Sequence, residues 1–226
     1  MNTPAPAGRL VVVEGIDGAG KSTIVRALAG YCGDHQVPHV VSHEPTKGKW
    51  GAMLRASART GRLPLEEELQ LFQRDRAEHV EMLISPSLRD GKVVILDRYY
   101  FSTAAYQGAR GGNPAAILSQ NEAFAPAPDL VLLLDLDPLA GRARIRNRGE
   151  IPDDFEGAEA LAVARQIFRS IERPCIRRID ASRDPAEVQH DCLAHLRELL
   201  ERSEGMTRAD PANGVSTAVD PVAERP

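Results

Sequence analysis

Apolar residues along the 226-residue chain fall into two kinds of run. Short aliphatic stretches occur at Leu10 to Val13, Val37 to Val41, Val93 to Leu96, Leu130 to Leu134 and Cys175 to Ile179. The central ones are uninterrupted rather than alternating, as in parallel strands covered on both faces. Helical stretches lie between them, several with start signals. Asp137-Pro138 and Asp184-Pro185 place a capping carboxylate before a first-turn proline, with Glu187 as a capping-box carboxylate, and Asn113-Pro114 opens a shorter helix. A helix is predicted over Leu65 to Ile84, with Leu65, Leu69, Phe72, Val80 and Leu83 on one face. Arg76 falls inside that apolar stripe, where a charge is costly unless it is paired or meets a ligand. Strand alternating with helix predicts an α/β fold: a five-stranded parallel sheet between two helical layers. Residues 1–8 and 203–226 are Pro-rich or aperiodic and are expected to be disordered, leaving one domain over 9–202.

Composition narrows the function. Charges nearly balance, 28 Lys+Arg against 32 Asp+Glu, for a net charge of -4. Five Phe, four Tyr and one Trp are present, and Tyr99, Tyr100, Phe101 and Tyr106 are bunched together. A platform for single-stranded nucleic acid needs spaced aromatics beside a positive groove, so nucleic acid is not an expected partner. No apolar run approaches the roughly 20 residues of a membrane span, and the start has no basic segment leading into an apolar one. Neither a membrane partner nor secretion is expected. Cys32, Cys175 and Cys192 form an odd set without a CxxC pair, which fits reduced thiols in a cytoplasmic protein. The six histidines contain no HExxH pattern.

The run Gly15-Ile16-Asp17-Gly18-Ala19-Gly20-Lys21-Ser22 fits G-x-x-x-x-G-K-[ST], after a predicted strand and before a helical pattern. Its glycines let backbone N–H groups curl around phosphate oxygens, and the helix N-terminus adds favourable partial charge. Lys21 is suited to the outer phosphates and Ser22 to Mg²⁺. By residue frequency a chance match arises in roughly one chain of this length in a hundred. A nucleoside triphosphate is therefore the expected ligand. A GTPase would need [NT]KxD after a strand; Thr46-Lys47-Gly48-Lys49 lacks the Asp. Asp97 ends a predicted strand, at the sheet edge where open α/β folds bind ligands.

With these motifs in place the chain resembles the thymidylate kinase family of P-loop nucleoside-monophosphate kinases, over about residues 9 to 200. The resemblance rests on Glu14-Gly-Ile-Asp-Gly-Ala-Gly-Lys-Ser-Thr23, on Glu44-Pro45, and above all on Asp97-Arg98-Tyr99-Tyr100-Phe101-Ser102-Thr103-Ala104-Ala105-Tyr106-Gln107-Gly108. That last block is similar to the family's DR-x-x-x-S-x-x-AYQG signature. Pro128-Asp129-Leu130 and Asp180-Ala181-Ser182 are similar to further landmarks.

The resemblance implies transfer of the γ-phosphoryl group of ATP to dTMP with Mg²⁺, and a homodimer. It implies ATP contacts from Gly15, Ile16, Asp17, Gly18, Ala19, Gly20, Lys21, Ser22 and Thr23, with Arg144 on the adenine. Asp17, Lys21, Arg98 and Arg148 would be catalytic; Ser22 and Asp97 would hold the metal. Arg55 and Arg98 would grip the acceptor phosphate. Phe72 and Arg76 would stack on and hydrogen-bond thymine, with Thr103 also reading the base. Tyr106 would lie against the sugar, and Gln107 would complete the substrate site.

Two departures from the family pattern stand out. Glu44-Pro-Thr-Lys-Gly-Lys-Trp50 replaces the EPGGT loop, although Arg55 keeps its spacing of eleven from Glu44. A lid is implied at about 142–157, within the run Arg142, Arg144, Arg146, Arg148. Beyond it, Ile151-Pro-Asp-Asp-Phe-Glu156 carries Asp154 where relatives often have Arg. Two rival readings remain open: a kinase of this fold for another deoxynucleotide or a deoxynucleoside, and a non-catalytic nucleotide-binding module.

Overall fold

The computed structural model describes residues 8–147 and 157–207. The segments 1–7, 148–156 and 208–226 lie outside the described residues, and with them Arg148 and part of the expected 142–157 lid. In chain order the elements are β1 (Arg9–Gly15), α1 (Lys21–Asp34), β2 (His39–His43), α2 (Lys49–Thr60), α3 (Leu65–His79) and α4 (Ser85–Arg89). There follow β3 (Val93–Asp97), α5 (Tyr100–Ala109), α6 (Pro114–Glu122), β4 (Leu130–Asp135), α7 (Pro138–Asn147), α8 (Ala158–Ser170), β5 (Ile176–Asp180) and α9 (Pro185–Thr207). The strands form one parallel sheet in the order β2-β3-β1-β4-β5, flanked by helices, which is the expected three-layer α/β/α fold of a P-loop NTPase.

β1 is central because its aliphatic residues have nowhere else to go. Leu10, Val11, Val12 and Val13 are wholly buried, as are Val94, Ile95 and Leu96 of β3 beside them. On its other side β1 pairs with β4, Gly15 opposite Leu134. The connections from β1 diverge at this point, so its carboxyl end is the switch point where α/β sheets bind ligands. Helix starts follow the predicted caps. The Leu139 N–H donates to Asp137 Oδ1 at 2.9 Å, Ala186 to Asp184 at 2.8 Å and Ala116 to Asn113 at 3.1 Å.

Three expectations need correction. β2 starts at His39, not Val37. The Val37 N–H turns back to the Cys32 carbonyl at the end of α1 (2.8 Å), and Pro38 has no N–H to give a neighbouring strand. The helix expected over Leu65 to Ile84 is regular only to His79. Residues Val80–Ile84 form a π-helical turn, in which the Ser85 N–H reaches the Val80 carbonyl. Pro86 explains it: the ring cannot donate to the preceding turn and crowds its carbonyl, so the spiral widens. Finally, α3 does not bury the predicted apolar stripe. Glu68, Leu71, Asp75, Arg76 and His79 are buried, while Leu65, Leu69 and Phe72 are only half-buried. At the chain's other end, α9 runs to Thr207, past the expected boundary at 202.

The phosphate loop is pressed against α7. A Cβ on Gly18, whose φ is +81°, would lie 2.3 Å from the Gly141 carbonyl oxygen, and one on Gly141 would lie 2.6 Å from the Asp17 carbonyl oxygen. Both obstacles are main chain, so neither can swing aside. Gly141→Ala must therefore part the loop from α7. The expected cost is about 1–3 kcal/mol, measured by urea denaturation, with weaker ATP binding because α7 carries Arg144.

Candidate active site

The phosphate loop runs from the end of β1 into the first turn of α1, and Gly15, Gly18 and Gly20 all adopt positive φ. Lys21 is buried beneath it, donating to the Ile16 carbonyl at 3.0 Å and lying 3.6 Å from Asp17. Burial and the nearby Arg98 charge lower its pKa to about 8, against the opposing pull of Asp17, Asp97 and Glu14. Ser22 Oγ donates to Asp97 Oδ2 at 2.8 Å, joining the first turn of α1 to the end of β3. A hydroxyl and a carboxylate are hard oxygen donors, and only two are present. That set fits Mg²⁺, which usually takes one or two protein ligands and completes its shell with phosphate oxygens and water. Among the described residues no group of three or more His, Cys, Asp or Glu is arranged to hold a metal.

Arg98 stands where β3 passes into α5. Its backbone is left-handed, φ +71°, and its N–H donates to the Val13 carbonyl at 3.0 Å. The guanidinium reaches Asp17, the Gly15 carbonyl (3.3 Å), Ser102 Oγ (3.0 Å) and the Tyr106 hydroxyl (3.4 Å). Burial opposes its charge, but Asp17, Tyr106 and Glu14 outweigh that and raise its pKa well above the ordinary value. Asp17 thus touches Lys21 on one side and Arg98 on the other.

Glu14, wholly buried, holds this junction. It accepts from the N–H groups of Tyr99 (2.8 Å) and Ser102 (3.1 Å) and from Ser102 Oγ (2.6 Å). Desolvation raises its pKa to about 7 despite these donors.

On one side of the loop is a cavity of about 390 Å³. Its lining brings together Arg55, Phe72, Arg76, Arg98, Thr103, Tyr106 and Gln107, all of the residues expected around an acceptor nucleotide. Arg76, 1% exposed, is held rigidly. Its Nε and Nη2 bond Glu44, Nη1 bonds Asn121 and Nη2 bonds Thr103 Oγ1 at 3.0 Å. Three hydrogen bonds thus fix the guanidinium, and Nη2 adds the ion pair with Glu44 at 2.7 Å. His79 bridges Glu44 Oε1 (3.0 Å) and Ser42 Oγ (2.8 Å). Arg55 donates to the main-chain carbonyls of Pro45 (3.2 Å) and Thr46 (2.7 Å).

On the loop's other side Gly18, Ala19, Gly20 and Thr23 meet Arg144, Ala181, Arg183, Pro185 and Val188 around a second cavity of about 300 Å³. Arg144 thus lines a cavity together with the loop glycines. Arg183, Pro185 and Val188 were not foreseen. They follow the Asp180-Ala181-Ser182 landmark directly, which is the signal that would have found them. Also unforeseen were Glu68, Asp75 and His79. They recur at helical spacing with Arg76, a buried polar stripe written in the sequence. Tyr99 is wholly buried, yet its ring lies 5.4 Å from the Arg76 guanidinium and it lines the first cavity.

A phosphate-binding loop at a sheet switch point, walled on either side by a nucleotide-sized cavity, defines the class: a P-loop nucleotide kinase. A family profile described as thymidylate kinase matches residues 13–192. Proteins named thymidylate kinase align closely. One from Akkermansia muciniphila is 52% identical over 181 residues, covering 80% of this chain and 87% of its own. One from Xanthomonas campestris pv. campestris is 51% identical over 183 residues (81% and 80%). One from Xanthomonas euvesicatoria pv. vesicatoria is 48% identical over 206 residues, 91% of both chains. The chain belongs to the thymidylate kinase family.

Two predictions follow from the site's charges. Lys21 must be an ammonium to bind phosphate. Its lowered pKa keeps it charged below about pH 8 and neutral above. kcat/KM for ATP, which reports the free enzyme, is expected to fall as pH rises through 8. kcat should hold to higher pH, because bound phosphates favour the ammonium. Glu44→Ala strips the buried Arg76 of its carboxylate and should cost about 3–5 kcal/mol of unfolding free energy, read by denaturant titration.

Proposed function

We propose that this chain transfers the γ-phosphoryl group of ATP to dTMP, giving ADP and dTDP, with Mg²⁺ at Ser22 and Asp97. The observation that carries the reading is the pair of cavities separated by the phosphate loop, with Asp17 in contact with both Lys21 and Arg98. One cavity is lined by loop glycines and Arg144, suited to ATP; the other is lined by Arg55, Arg98 and the base-facing residues, suited to a nucleoside monophosphate. Family membership supports the choice of dTMP. The Thr46 to Trp50 departure leaves Arg55 in the cavity lining.

The difficulty of the reaction is electrostatic, since a dianionic phosphate must approach a polyphosphate. Catalysis is then positioning and charge neutralisation. Lys21 and the loop N–H groups hold the donor phosphates. Arg98, with Arg55, holds the acceptor oxygens in line. Asp17 orients Arg98 and is not needed as a strong base, because the acceptor is ionised at neutral pH. Mg²⁺, when bound, would neutralise charge between the donor phosphates. Arg148, outside the described residues, is assigned to cover the transferring group when the lid over 142–157 closes. Tyr106 would lie against the sugar, where a 2′-hydroxyl would crowd it. The reading also carries a homodimer and a cytoplasmic location; among the described residues no helix is long and apolar enough to cross a membrane.

A coupled ADP-release assay across dTMP, dUMP, other monophosphates and thymidine tests the proposal. dTMP should be the preferred acceptor; equal rates on all, or none on dTMP, would overturn it. Lys21→Ala is expected to abolish turnover, and unimpaired transfer would reject catalysis at this loop. Arg98→Ala should raise KM for dTMP far more than KM for ATP.

A further inference from the structure

The wall of the first cavity holds one buried side chain whose hydrogen bonding is incomplete. Gln107 on α5 is 1% exposed and lines the cavity. Its Nε2 donates to Glu68 Oε2 at 3.1 Å, while its Oε1 has no hydrogen-bond partner among the described residues. A buried carbonyl oxygen without a donor costs about 1–3 kcal/mol, so its persistence calls for a ligand that supplies one.

Glu68 determines which end of that amide faces the cavity. Its carboxylate, 3% exposed, accepts from Arg62 Nε on Oε1 (3.4 Å) and from Arg110 on Oε2. Both oxygens are therefore acceptors, and an acceptor can be met only by the NH₂ end of Gln107. The carbonyl end is left for the cavity. Thr103 lies one turn earlier on α5 and is bonded by Arg76, so Gln107, Thr103 and Arg76 form a continuous strip.

We propose that Glu68 is a positioning residue for base selection: it locks Gln107 with Oε1 presented to the N–H of a pyrimidine imide edge. This rests on the reading of the cavity as the acceptor-nucleotide site. Thymine and uracil offer an N3–H donor flanked by carbonyls. Cytosine offers a lone pair at N3 and an amino group in place of the adjoining carbonyl. A fixed Gln107 carbonyl accepts from the former and repels the latter. A site built to bond a specific edge rejects the wrong one strongly, because its buried groups are then left unpaired.

The test uses dUMP and dCMP, which differ at this edge and share the absence of the thymine methyl. Glu68→Gln keeps shape but can present either a donor or an acceptor, so Gln107 is free to flip. The dUMP:dCMP ratio of kcat/KM is expected to fall by about tenfold or more, with KM for ATP little changed and a lower melting temperature, because Arg62 and Arg110 lose their carboxylate. Gln107→Met, which keeps volume and removes the acceptor, should lower the ratio similarly. Adding E68Q to Q107M should then change it no further, a coupling that a purely structural Glu68 would not give. An unchanged ratio in E68Q, or additive losses in the double variant, overturns the proposal while leaving the dTMP kinase reading intact. If E68Q melts below the assay temperature, Q107M alone decides: a retained dUMP:dCMP preference overturns the proposal. Wild-type enzyme without dTMP-dependent ADP release would overturn the acceptor-site reading, and this inference with it.

Discussion

Everything at the reaction centre hangs from one carboxylate with no access to water. Glu14 lies at the end of β1, and burying a charge there is expensive unless donors surround it. They come from one place, the junction of β3 with α5, through Tyr99 N–H, Ser102 N–H and Ser102 Oγ. The consequence is mechanical. β1 carries the phosphate loop and the junction carries Arg98, so this contact ties the loop and that arginine into one rigid body. The left-handed backbone at Arg98 is a strained conformation for a residue with a side chain. It is over-determined by the N–H bond to Val13, by Ser102 and by Asp17. Strain of this kind persists only where the surroundings fix it, and here they place a guanidinium beside the loop.

The same logic extends along α3, where the helix buries charge instead of aliphatic surface. Glu44 joins Arg76 and His79, and Asp75 joins Thr46 at 2.7 and 2.6 Å. Replacing such pairs with well-packed apolar groups is often neutral or stabilising in other proteins, so stability alone is a weak reason to keep them. Their geometry offers a better one. Arg76 is pinned at the cavity wall by three partners, Glu44, Asn121 and Thr103. A donor fixed in advance does not have to be reorganised when the ligand arrives. Of the polar stripe, Arg76 lines the cavity, while Glu68 and His79 bond Gln107 and Glu44, which line it too.

This explains what could be read from the chain and what could not. β1, β3 and β4 were legible because continuous aliphatic runs mean burial on both faces, and the phosphate loop because its chemistry depends on residue types at fixed spacing. Arg76 betrayed itself as a charge on an apolar face. Glu68, Asp75 and His79 did not, because hydrophobic periodicity treats charged positions as solvent-facing; their partners Glu44, Thr46 and Arg110 are distant in sequence. The π-helical turn escaped because a proline signals the end of a helix, and the widening lies in the turn before Pro86. Arg183 escaped since it is one charge among many until β5 and α9 bring it against Gly18 and Ala19.

The 46–50 loop departs from the family pattern, yet Arg55 still lines the cavity. Where relatives use glycines, this chain has Thr46, whose N–H and hydroxyl both bond Asp75 and whose Oγ1 also accepts from the Gly48 N–H at 3.0 Å. A side-chain cap therefore does the work of permissive backbone. Lys47 and Lys49 are exposed, and Lys49 and Arg74 lie 4.7 and 5.1 Å from the Trp50 ring. Those additions are thus taken up by one another. Arg55 is indifferent to them, since it bonds the main-chain carbonyls of Pro45 and Thr46, which any sequence supplies. The constraint that remains is on Gly51, where a Cβ would fall 1.9 Å from the Thr46 carbonyl oxygen. What the loop must keep is the Thr46 cap and a start of α2 close enough for Arg55 to reach back.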